Sequence, residues 1–416
     1  MSSSHIRYGI IGTGMMGIEH IENILALDDT SVVAIADTDA GSRETGAVHA
    51  GPDCVAYEDY EDLMADPNVG AVVVLTPNFT HIDVMTKVIA SGKHVLCEKP
   101  LCTTASDCNT LISLSEGYDG VIWVGLEYRY MPAVDALISQ VRDGFVGDVQ
   151  MVAIREHRFP FLEKVNHWNR FNKNSGGTLV EKTCHYFDLM NLIIGEHPLQ
   201  VFASGGQNVN HLDEVYDGET SDIFDNAYVI IDYPNGVRAM LDLCMFAEAT
   251  RDQEELSVVG NLGKLDARIP TSELHLGKRS GKGLADIGVV ETRPITNDEI
   301  RHTGLHHGAS YLEHVDFADA VRTHRAARLA AVDAGQSTED AIAAASNAVD
   351  ALDTLVNLDD GLWSVAIGQA AHLSIAENRP VALSEIIDKS TPGSDPPVDH
   401  QPLPSPKVNL RVRPLD

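Results

Sequence analysis

A glycine-rich turn between an apolar strand and an amphipathic helix limits the fold of this chain more than any other stretch. The turn reads Gly12-Thr13-Gly14-Met15-Met16-Gly17, follows the apolar residues 8–11 and precedes a segment with helical period. A second apolar run ends at Asp37, twenty residues after Gly17. In this setting the first glycine permits a tight turn, the second lets a pyrophosphate approach the backbone, and the third allows close helix packing. The pattern predicts a dinucleotide-binding Rossmann unit.

Asp37 indicates which dinucleotide binds. Its carboxylate can accept a hydrogen bond from the adenosine ribose 2′-hydroxyl and would repel a 2′-phosphate. Thr38 follows it directly, and the nearest cation is Arg43. We therefore expect NAD as the cofactor and consider NADP the less favoured alternative.

Apolar and helical segments continue to alternate up to residue 125, which predicts a doubly wound parallel sheet. In such sheets ligands lie beyond the carboxyl ends of the strands. Lys99 stands at one of these ends, where a cofactor's reactive ring could lie, although a surface lysine is the plainer alternative. The predicted cofactor-binding residues are those of the glycine turn and those at strand ends: Gly12, Gly14, Met15, Met16, Gly17, Asp37, Thr76, Pro77, Asn78, His81, Glu98 and Lys99.

The chain changes character after residue 126. Strand-like segments follow one another without intervening helices, which indicates an α+β domain with a large, open, mostly antiparallel sheet. A polar and aromatic loop at residues 156–170 suits a ring-shaped polyol, which is apolar on its faces and hydroxylated at its rim, or alternatively a subunit interface. The residues predicted to bind substrate are Lys99, Arg158, Trp168, Arg170, His185 and His306, with His307 as a further possibility.

Residues 177–195 read as one helix bounded by glycines at both ends. Glu181, His185 and Asp188 lie at i, i+4 and i+7 of this segment and would share one face. A carboxylate one turn before an imidazole can fix its tautomer and stabilise its charged form, which is how a general base is built. A buried helix with one satisfied core histidine is the competing interpretation.

Charge and cysteine content narrow the class of protein. Sixty-one acidic residues against 30 basic ones give a net charge of −31, which disfavours nucleic acid and anionic membrane surfaces as partners. The six cysteines contain no Cys-x-x-Cys pair and are expected to be small buried hydrophobes in a reducing compartment. The amino terminus has no export pattern, and no apolar run approaches the length of a membrane span. We expect a cytoplasmic protein.

The expected organisation is a Rossmann domain at residues 1–125, a substrate-binding and oligomerisation domain at 126–386, and an extended tail at 387–416. The last 25 residues hold seven of the chain's 18 prolines, which argues against regular structure there. An alanine-rich stretch at residues 339–355 is expected to be an inserted helix.

Four sequence motifs together resemble the glucose–fructose oxidoreductase / inositol dehydrogenase (Gfo/Idh/MocA) family over about residues 6–384. They are Thr76-Pro77-Asn78-x-x-His81, the run from Gly92 to Glu98-Lys99-Pro100, the Gly-Gly-Thr-Leu-x-Glu-x-x-x-His segment, and Gly368-x-Ala370-Ala371. The resemblance implies a Rossmann domain followed by an α/β domain whose open sheet commonly forms the oligomer interface. We therefore expect a homodimer or homotetramer. Glu181 stands where the family usually has Asp, and Lys182 beside it is also atypical.

The resemblance implies oxidation of a ring hydroxyl of an inositol, a sugar or a glycoside, C3 being one option. Lys99 matches the lysine of the family's Glu-Lys-Pro motif, and His185 matches its helix histidine. We expect His185, oriented by Glu181, to take the hydroxyl proton, and Lys99 to share the proton or stabilise the alkoxide. Burial beside the cofactor is expected to lower the pKa of Lys99.

Three other functions remain open at this point. Some relatives hold NAD tightly and run a redox-neutral reaction, such as cleavage of a glycosidic bond or hydride exchange between sugars. A sugar-responsive regulator without catalysis is known on the same scaffold, although Lys99 and His185 are retained here. A metal-dependent isomerase could use Glu181, His185, Asp188 and His306 or His307, but the dinucleotide pattern makes a metal unnecessary, and we expect none.

Overall fold

The computed structural model describes residues 5–281 and 288–387, and its first half is built on a six-stranded parallel sheet. The strands are β1 (Ile6–Ile11), β2 (Thr30–Ala36), β3 (Val55–Tyr57), β4 (Ala71–Val74), β5 (His94–Glu98) and β6 (Ile122–Gly125). Their order in space is β3-β2-β1-β4-β5-β6, with every neighbouring pair parallel. This is the doubly wound arrangement that the sequence predicts.

Helices connect these strands and cover the sheet. They are α1 (Met15–Leu25), α2 (Ala40–Ala50), α3 (Tyr60–Ala65), α4 (His81–Ser91) and α5 (Ala105–Leu114). Strand β4 is buried along its whole length, as expected for a parallel strand with helices on both faces. The order of the strands reverses at β1, where the glycine turn begins. The sheet therefore places that turn beside the carboxyl ends of β4 and β5.

The second half is built on a nine-stranded sheet. Its strands are β7 (Val149–His157), β8 (Gln200–Gly206), β11 (Asn226–Asp232), β12 (Arg238–Cys244), β13 (Glu254–Gly260), β14 (Gly263–Ile269), β15 (Glu273–Lys278), β16 (Val290–Pro294) and β17 (Val381–Ala382). Strands β9 (Val215–Tyr216) and β10 (Glu219–Thr220) form a separate hairpin. All neighbouring pairs of the large sheet are antiparallel except β7 with β12, so the prediction of a mostly antiparallel sheet is confirmed.

The helices of the second half are α6 (Pro132–Arg142), α7 (Asn172–Ser175), α8 (Thr178–Glu181), α9 (Cys184–Ile194), α10 (Ala309–Asp333), α11 (Thr338–Asp350), α12 (Leu358–Glu377) and α13 (Ser384–Ile387). Among them, α6, α9, α12 and α13 contact the large sheet, and α10 and α12 contact the Rossmann half. Helix α10 is 25 residues long. The alanine-rich stretch is helical over α11, which packs against α10.

The expectation of one helix across residues 177–195 is wrong. Helix α8 ends at Glu181 and α9 begins at Cys184, so Lys182 and Thr183 interrupt the helix. The Thr183 hydroxyl donates to the Leu179 carbonyl at 2.8 Å, a local bond that is known to bend helices. Because of this break, the i, i+4 spacing of Glu181 and His185 does not stack their side chains as it would on a straight helix.

The expected extended tail cannot be compared with the structure. The proline-rich tail at 387–416 lies outside the described residues except for Ile387. Among residues 5–281 and 288–387, no helix is both long and apolar enough to span a membrane. All six cysteines are free; four of them are buried, as expected, and Cys54 and Cys244 are partly exposed.

Candidate active site

A cavity of about 480 Å³ lies between the carboxyl ends of the Rossmann strands and the polar and aromatic loop of the second half. The glycine turn and the strand ends form one part of its wall, and the loop with Glu181, Lys182 and His306 forms the other. A second, more open cavity of about 410 Å³ around His94 and His324 shares no residue with it. The first cavity therefore brings together residues from both predicted sets.

The glycine turn has the geometry that a bound pyrophosphate requires. Gly12 has φ +96°, and a Cβ there would lie 2.7 Å from the Leu75 carbonyl oxygen. A Cβ on Gly17 would lie 2.4 Å from the Gly12 carbonyl oxygen, so this glycine lets α1 start tightly against the turn. Gly14 faces open space at the helix start and lines the cavity with Met15 and Met16. The turn therefore fits a dinucleotide, and all of these residues except Gly17 line the cavity.

An acidic corner forms at the end of β2. The Asp37 carboxylate accepts hydrogen bonds from the Thr13 amide at 2.7 Å and the Asp39 amide at 2.8 Å, which fixes its position in the cavity wall. Asp39 and Glu58 also line this corner and were not expected from the sequence. Arg43 donates to the Asp37 backbone carbonyl and is not part of the wall. The corner therefore holds three carboxylates, with Arg43 4.0 Å from that of Glu58.

The residues at the ends of β4 and β5 line the cavity and also brace it. The Asn78 side-chain amide donates to the Ser175 carbonyl at 3.1 Å, which ties the Rossmann half to the second half. The His81 ring lies between the carbonyl oxygens of Thr76 and Pro100, 2.9 Å from each. Burial lowers the pKa of His81, while the two carbonyl contacts oppose that lowering. Thr76 and Pro77 line the cavity beside them.

Lys99 lies where the strand-end argument predicts, at the centre of the cavity wall. Its amine donates to the Glu181 backbone carbonyl at 3.2 Å. Burial opposes its charge, but the surrounding groups Cys184, Glu98 and Glu127 outweigh burial and raise the pKa of Lys99. The expected lowering of this pKa is therefore wrong in sign. Lys99 stays positively charged beside the cavity.

Glu98 connects the cavity to the interior. It accepts a hydrogen bond from His20 at 3.0 Å, and His20 in turn contacts His314 at 2.7 Å. Although burial opposes ionisation, this bond and the charge on His20 lower the pKa of Glu98 to about 2. A fixed negative charge therefore stands next to Lys99 and helps to keep it protonated.

The polar and aromatic loop contributes some of the predicted substrate contacts. Arg158 lines the cavity, pairs with Glu156 at 3.1 Å and lies 4.3 Å from the Phe159 ring centre. Trp168 lines it too, with the Lys164 amine 5.1 Å from its ring centre. Arg170 does not reach the cavity.

Arg170 instead braces the loop from behind. It pairs with Glu214 at 2.8 Å and donates to the carbonyls of Phe161 and Leu162. The planar guanidinium group has several N–H donors, so it can bind a carboxylate and two carbonyl groups at the same time. The assignment of Arg170 to substrate binding is therefore corrected to a supporting role.

His185 lies one layer behind the cavity wall. Its ring is 1% exposed and stacks on Tyr128, with the ring centres 3.9 Å apart and the planes at 4°. Its nearest acidic neighbour is Glu127, 3.7 Å from Nδ1, and no hydrogen bond or ion pair within the described residues joins it to Glu181. Burial and the charges of Lys99 and Lys182 hold the pKa of His185 well below its ordinary value. The expected stabilisation of its charged form by Glu181 is therefore wrong.

Glu181, unlike His185, lines the cavity. Burial raises its pKa above the ordinary glutamate value, while the cations Lys164 and Lys99 oppose that rise. Its backbone carbonyl holds Lys99, as described above. Glu181 is thus a neighbour of Lys99 rather than a partner of His185.

Sequence reasoning missed two residues that follow β6, Glu127 and Tyr128. Glu127 lies 3.7 Å from both His185 Nδ1 and His306 Nε2, and burial raises its pKa to about 8. Tyr128 packs between Lys182 and His185. Both stand just beyond the carboxyl end of a parallel strand, the position that drew attention to Lys99, so the same rule could have found them.

His306 lines the cavity as predicted, and burial lowers its pKa to about 3. His307 has a left-handed backbone with φ +57° and is not part of the wall.

The residues considered as metal ligands for an isomerase do not form one cluster, because Asp188 is bound by Arg129. Within the described residues, the group spaced to share a cation is Glu19, Glu22 and His302, which lies outside this cavity.

Comparison with protein families and known proteins agrees with this geometry. Residues 6–126 match the model for the NAD-binding Rossmann fold of the GFO_IDH_MocA oxidoreductase family, and residues 138–350 match the family's C-terminal alpha/beta domain. The myo-inositol 2-dehydrogenase of Thermotoga maritima is 27% identical over 92% of this chain and 100% of its own. The 2,7-anhydro-N-acetylneuraminate hydratase of Escherichia coli is 23% identical over 92% of this chain and 98% of its own.

Among solved structures, levoglucosan dehydrogenase in complex with NADH and levoglucosan has the same fold. Its TM-score is 0.71 with 19% identity, over 91% of this chain and 99% of that one. The two matched ranges include every strand of both sheets except β17, and all the residues that line the cavity. This chain is therefore a member of the Gfo/Idh/MocA family of NAD-binding oxidoreductases.

Proposed function

We propose that this protein is an NAD-dependent dehydrogenase that oxidises a ring secondary hydroxyl of an inositol, a sugar or a glycoside, C3 of a glycoside being one candidate position. The observation that carries the proposal is one cavity with the dinucleotide turn and Lys99 on one side and Arg158 and Trp168 on the other. The aromatic and cationic wall suits a polyol ring. The inositol dehydrogenase from Thermotoga maritima, similar over its whole length, supports the same substrate class.

The chemistry divides between charge stabilisation and proton transfer. Bound NAD supplies the acceptor for the hydride. Lys99, which keeps its charge, stabilises the alkoxide that develops as the hydroxyl proton leaves. His185 is proposed to take part in the proton transfer, although it acts from behind Tyr128 and in its neutral form. Arg158 and Trp168 hold the ring of the substrate.

NAD rather than NADP is proposed as the physiological cofactor. The support is the acidic corner of Asp37, Asp39 and Glu58, which repels a 2′-phosphate. Arg43, the nearest cation in sequence, donates to the Asp37 carbonyl and lies 4.0 Å from Glu58, so its charge is already balanced by this corner.

A screen for NADH formation tests the function. Purified protein is mixed with inositols, aldoses and glycosides, with NAD and NADP in parallel, and the near-ultraviolet absorbance of the reduced cofactor is followed. We expect NADH with at least one polyol and a much slower reaction with NADP. A protein that binds NAD but reduces none of it with any polyol would contradict the proposal.

A redox-neutral reaction with retained NAD is the second candidate, either glycosidic cleavage or hydride exchange between sugars. It is favoured by the similarity to the Escherichia coli hydratase over nearly the full length of both chains. In that case product would form without net NADH. Measuring product and NADH in the same reaction separates the two candidates.

Self-association is proposed through the outer face of the large sheet. Phe202, Ile230 and Met240 face one another across β8, β11 and β12, and each is about 40% exposed or more. Such an apolar row on an open sheet favours a second copy of this chain as its partner, in a homodimer or homotetramer.

A cytoplasmic location is also proposed, with the six unpaired cysteines in support.

A further inference from the structure

Lys182 is a buried cation of the cavity wall that the residues assigned above leave without a role. It lies in the break between α8 and α9 and is 7% exposed. A lysine in such a position usually either neutralises a buried acid or takes part in chemistry. Its contacts decide between these roles.

The Lys182 amine has two polar partners and one free position. Nζ lies 2.8 Å from the Tyr128 hydroxyl and 3.0 Å from Glu156 Oε1. In the part of the chain that the structure describes, no third hydrogen bond or ion pair engages Nζ. A neutral amine that directs its two N–H bonds at these oxygens keeps its lone pair at the remaining tetrahedral position. The break in the helix is what brings this amine to the cavity.

The surroundings of Lys182 also allow it to be neutral. Glu156 already pairs with Arg158, so the acid does not require the charge of Lys182. Glu254 lies directly opposite Glu156 in the β7–β13 pairing and is also buried. Burial and the charge of Glu156 raise the pKa of Glu254 to about 7. With Glu254 protonated, Glu156 and Arg158 balance each other, and a neutral Lys182 leaves no net charge in the cluster.

Lys182 and Lys99 differ in the way a base and an electrostatic stabiliser should differ. The acidic groups around Lys99 raise its pKa, whereas burial and the neighbouring Arg158 lower the pKa of Lys182. The ionisable groups around Lys182 that influence this balance come from several elements: Lys99, Glu127, Tyr128, Glu156, Arg158, Glu181, Cys184, His185, Glu254 and His306.

We propose that Lys182, held by Tyr128 and Glu156, is a further catalytic residue that directly accepts the proton of the substrate hydroxyl, with Lys99 stabilising the alkoxide. This inference rests on the proposed dehydrogenase function. In the oxidation the substrate O–H bond breaks and a third N–H bond forms on Lys182. The C–H electron pair leaves as the hydride that NAD accepts, and the carbon–oxygen bond becomes a carbonyl. In the reverse direction the Lys182 ammonium returns the proton.

The test compares two variants at Lys182 with one control variant at another lysine. Lys182→Met removes the amine, and Lys182→Arg keeps a charge that can pair with Glu156 but does not deprotonate. Lys173→Met is the control, because Lys173 also pairs with a glutamate, Glu219, and packs near an aromatic ring, but lies outside the cavity. Thermal unfolding and NAD binding are measured for all proteins alongside the pH dependence of kcat.

In the wild type, kcat for oxidation should rise with pH and reach a plateau. The apparent pKa of this rise should be lower than the pKa of an ordinary lysine. Both Lys182 variants should lose this rise and about 10²- to 10⁴-fold in kcat, the usual contribution of a general base, while binding NAD normally. Lys173→Met should resemble the wild type. If Lys182→Met unfolds, the Arg variant still decides.

Wild-type kcat in Lys182→Arg would overturn the proposal and leave Lys182 as a partner for Glu156. An unchanged pH rise in the folded Lys182→Met protein would overturn it as well. Failure of the proposed function looks different, because the wild type itself would then form no NADH with any polyol.

Discussion

Lys99 and Lys182 line the same cavity, yet acidic neighbours raise the pKa of Lys99, whereas burial and Arg158 lower the pKa of Lys182. Lys99 is surrounded by acidic groups and stays charged, whereas Lys182 shares its acid with Arg158 and is more easily neutral. Residue type alone therefore does not determine proton chemistry. The balance between burial and the nearby charges determines it for each amine.

At Lys99, replacement by methionine should lower kcat about 10²- to 10³-fold, the loss expected when one electrostatic stabiliser of an oxyanion is removed. Calorimetry should show NAD affinity within a few fold of wild type, because the glycine turn is untouched. Lys173→Met serves again as the control. Near-wild-type turnover in Lys99→Met would contradict the stabilising role.

At Asp37, replacement by asparagine keeps the side-chain shape while removing the charge next to the expected ribose. NADP affinity should rise about tenfold, equivalent to roughly 1.4 kcal/mol, and NAD affinity should fall because an acceptor is lost. Asp53→Asn, an exposed aspartate outside the cavity, is the control. Unchanged affinities for both cofactors in Asp37→Asn would argue against this corner as the selector.

Among the elements, the broken helix at Lys182 and Thr183 is the feature that the sequence could not supply. The apolar period continues through residues 177–195, so the pattern predicts one helix. The break depends on the Thr183 bond to Leu179 and on the packing of both helix pieces against their neighbours. Tertiary contacts therefore outweigh the local helical period. The expected Glu181–His185 dyad does not form because the helix is broken between the two residues.

Close packing of α12 on α8 gives a stability prediction. A Cβ on Gly368 would lie 2.2 Å from the Leu179 carbonyl oxygen, which is backbone and cannot move aside cheaply. Gly368→Ala should therefore destabilise the protein by about 1 to 3 kcal/mol. Gly41→Ala, whose added carbon makes only a 3.4 Å contact, should be neutral or slightly stabilising. Chemical denaturation measures both, and equal stabilities would contradict the packing argument.

For the whole molecule, the sequence predicts the two sheets correctly, but it predicts only some of the side chains that face the cavity. The glycine turn, Asp37 and Lys99 could be placed because the carboxyl ends of parallel strands converge at one edge. Arg170 and His185 could not, because whether a long side chain faces a cavity or the interior depends on contacts distant in sequence. Glu127 and Tyr128 were within reach of the strand-end rule.

The exposed sheet face predicts the behaviour of the assembled protein. Ile230→Lys introduces a charge into the apolar row of Phe202, Ile230 and Met240 and should shift the molecular mass in solution toward the monomer. Val48→Lys, at an exposed position on α2, should leave the mass unchanged. Light scattering on a size-exclusion column measures both. A wild type that is already monomeric would contradict the proposed interface.

The central claim is that a polyol hydroxyl is oxidised with net transfer of hydride to NAD. The most direct measurement follows deuterium from the oxidised ring carbon of the best polyol found in the NADH screen. We predict one deuterium in the released NADH and a ketone formed in equal amount. Product that retains the deuterium, with no labelled NADH released, would contradict a dehydrogenase.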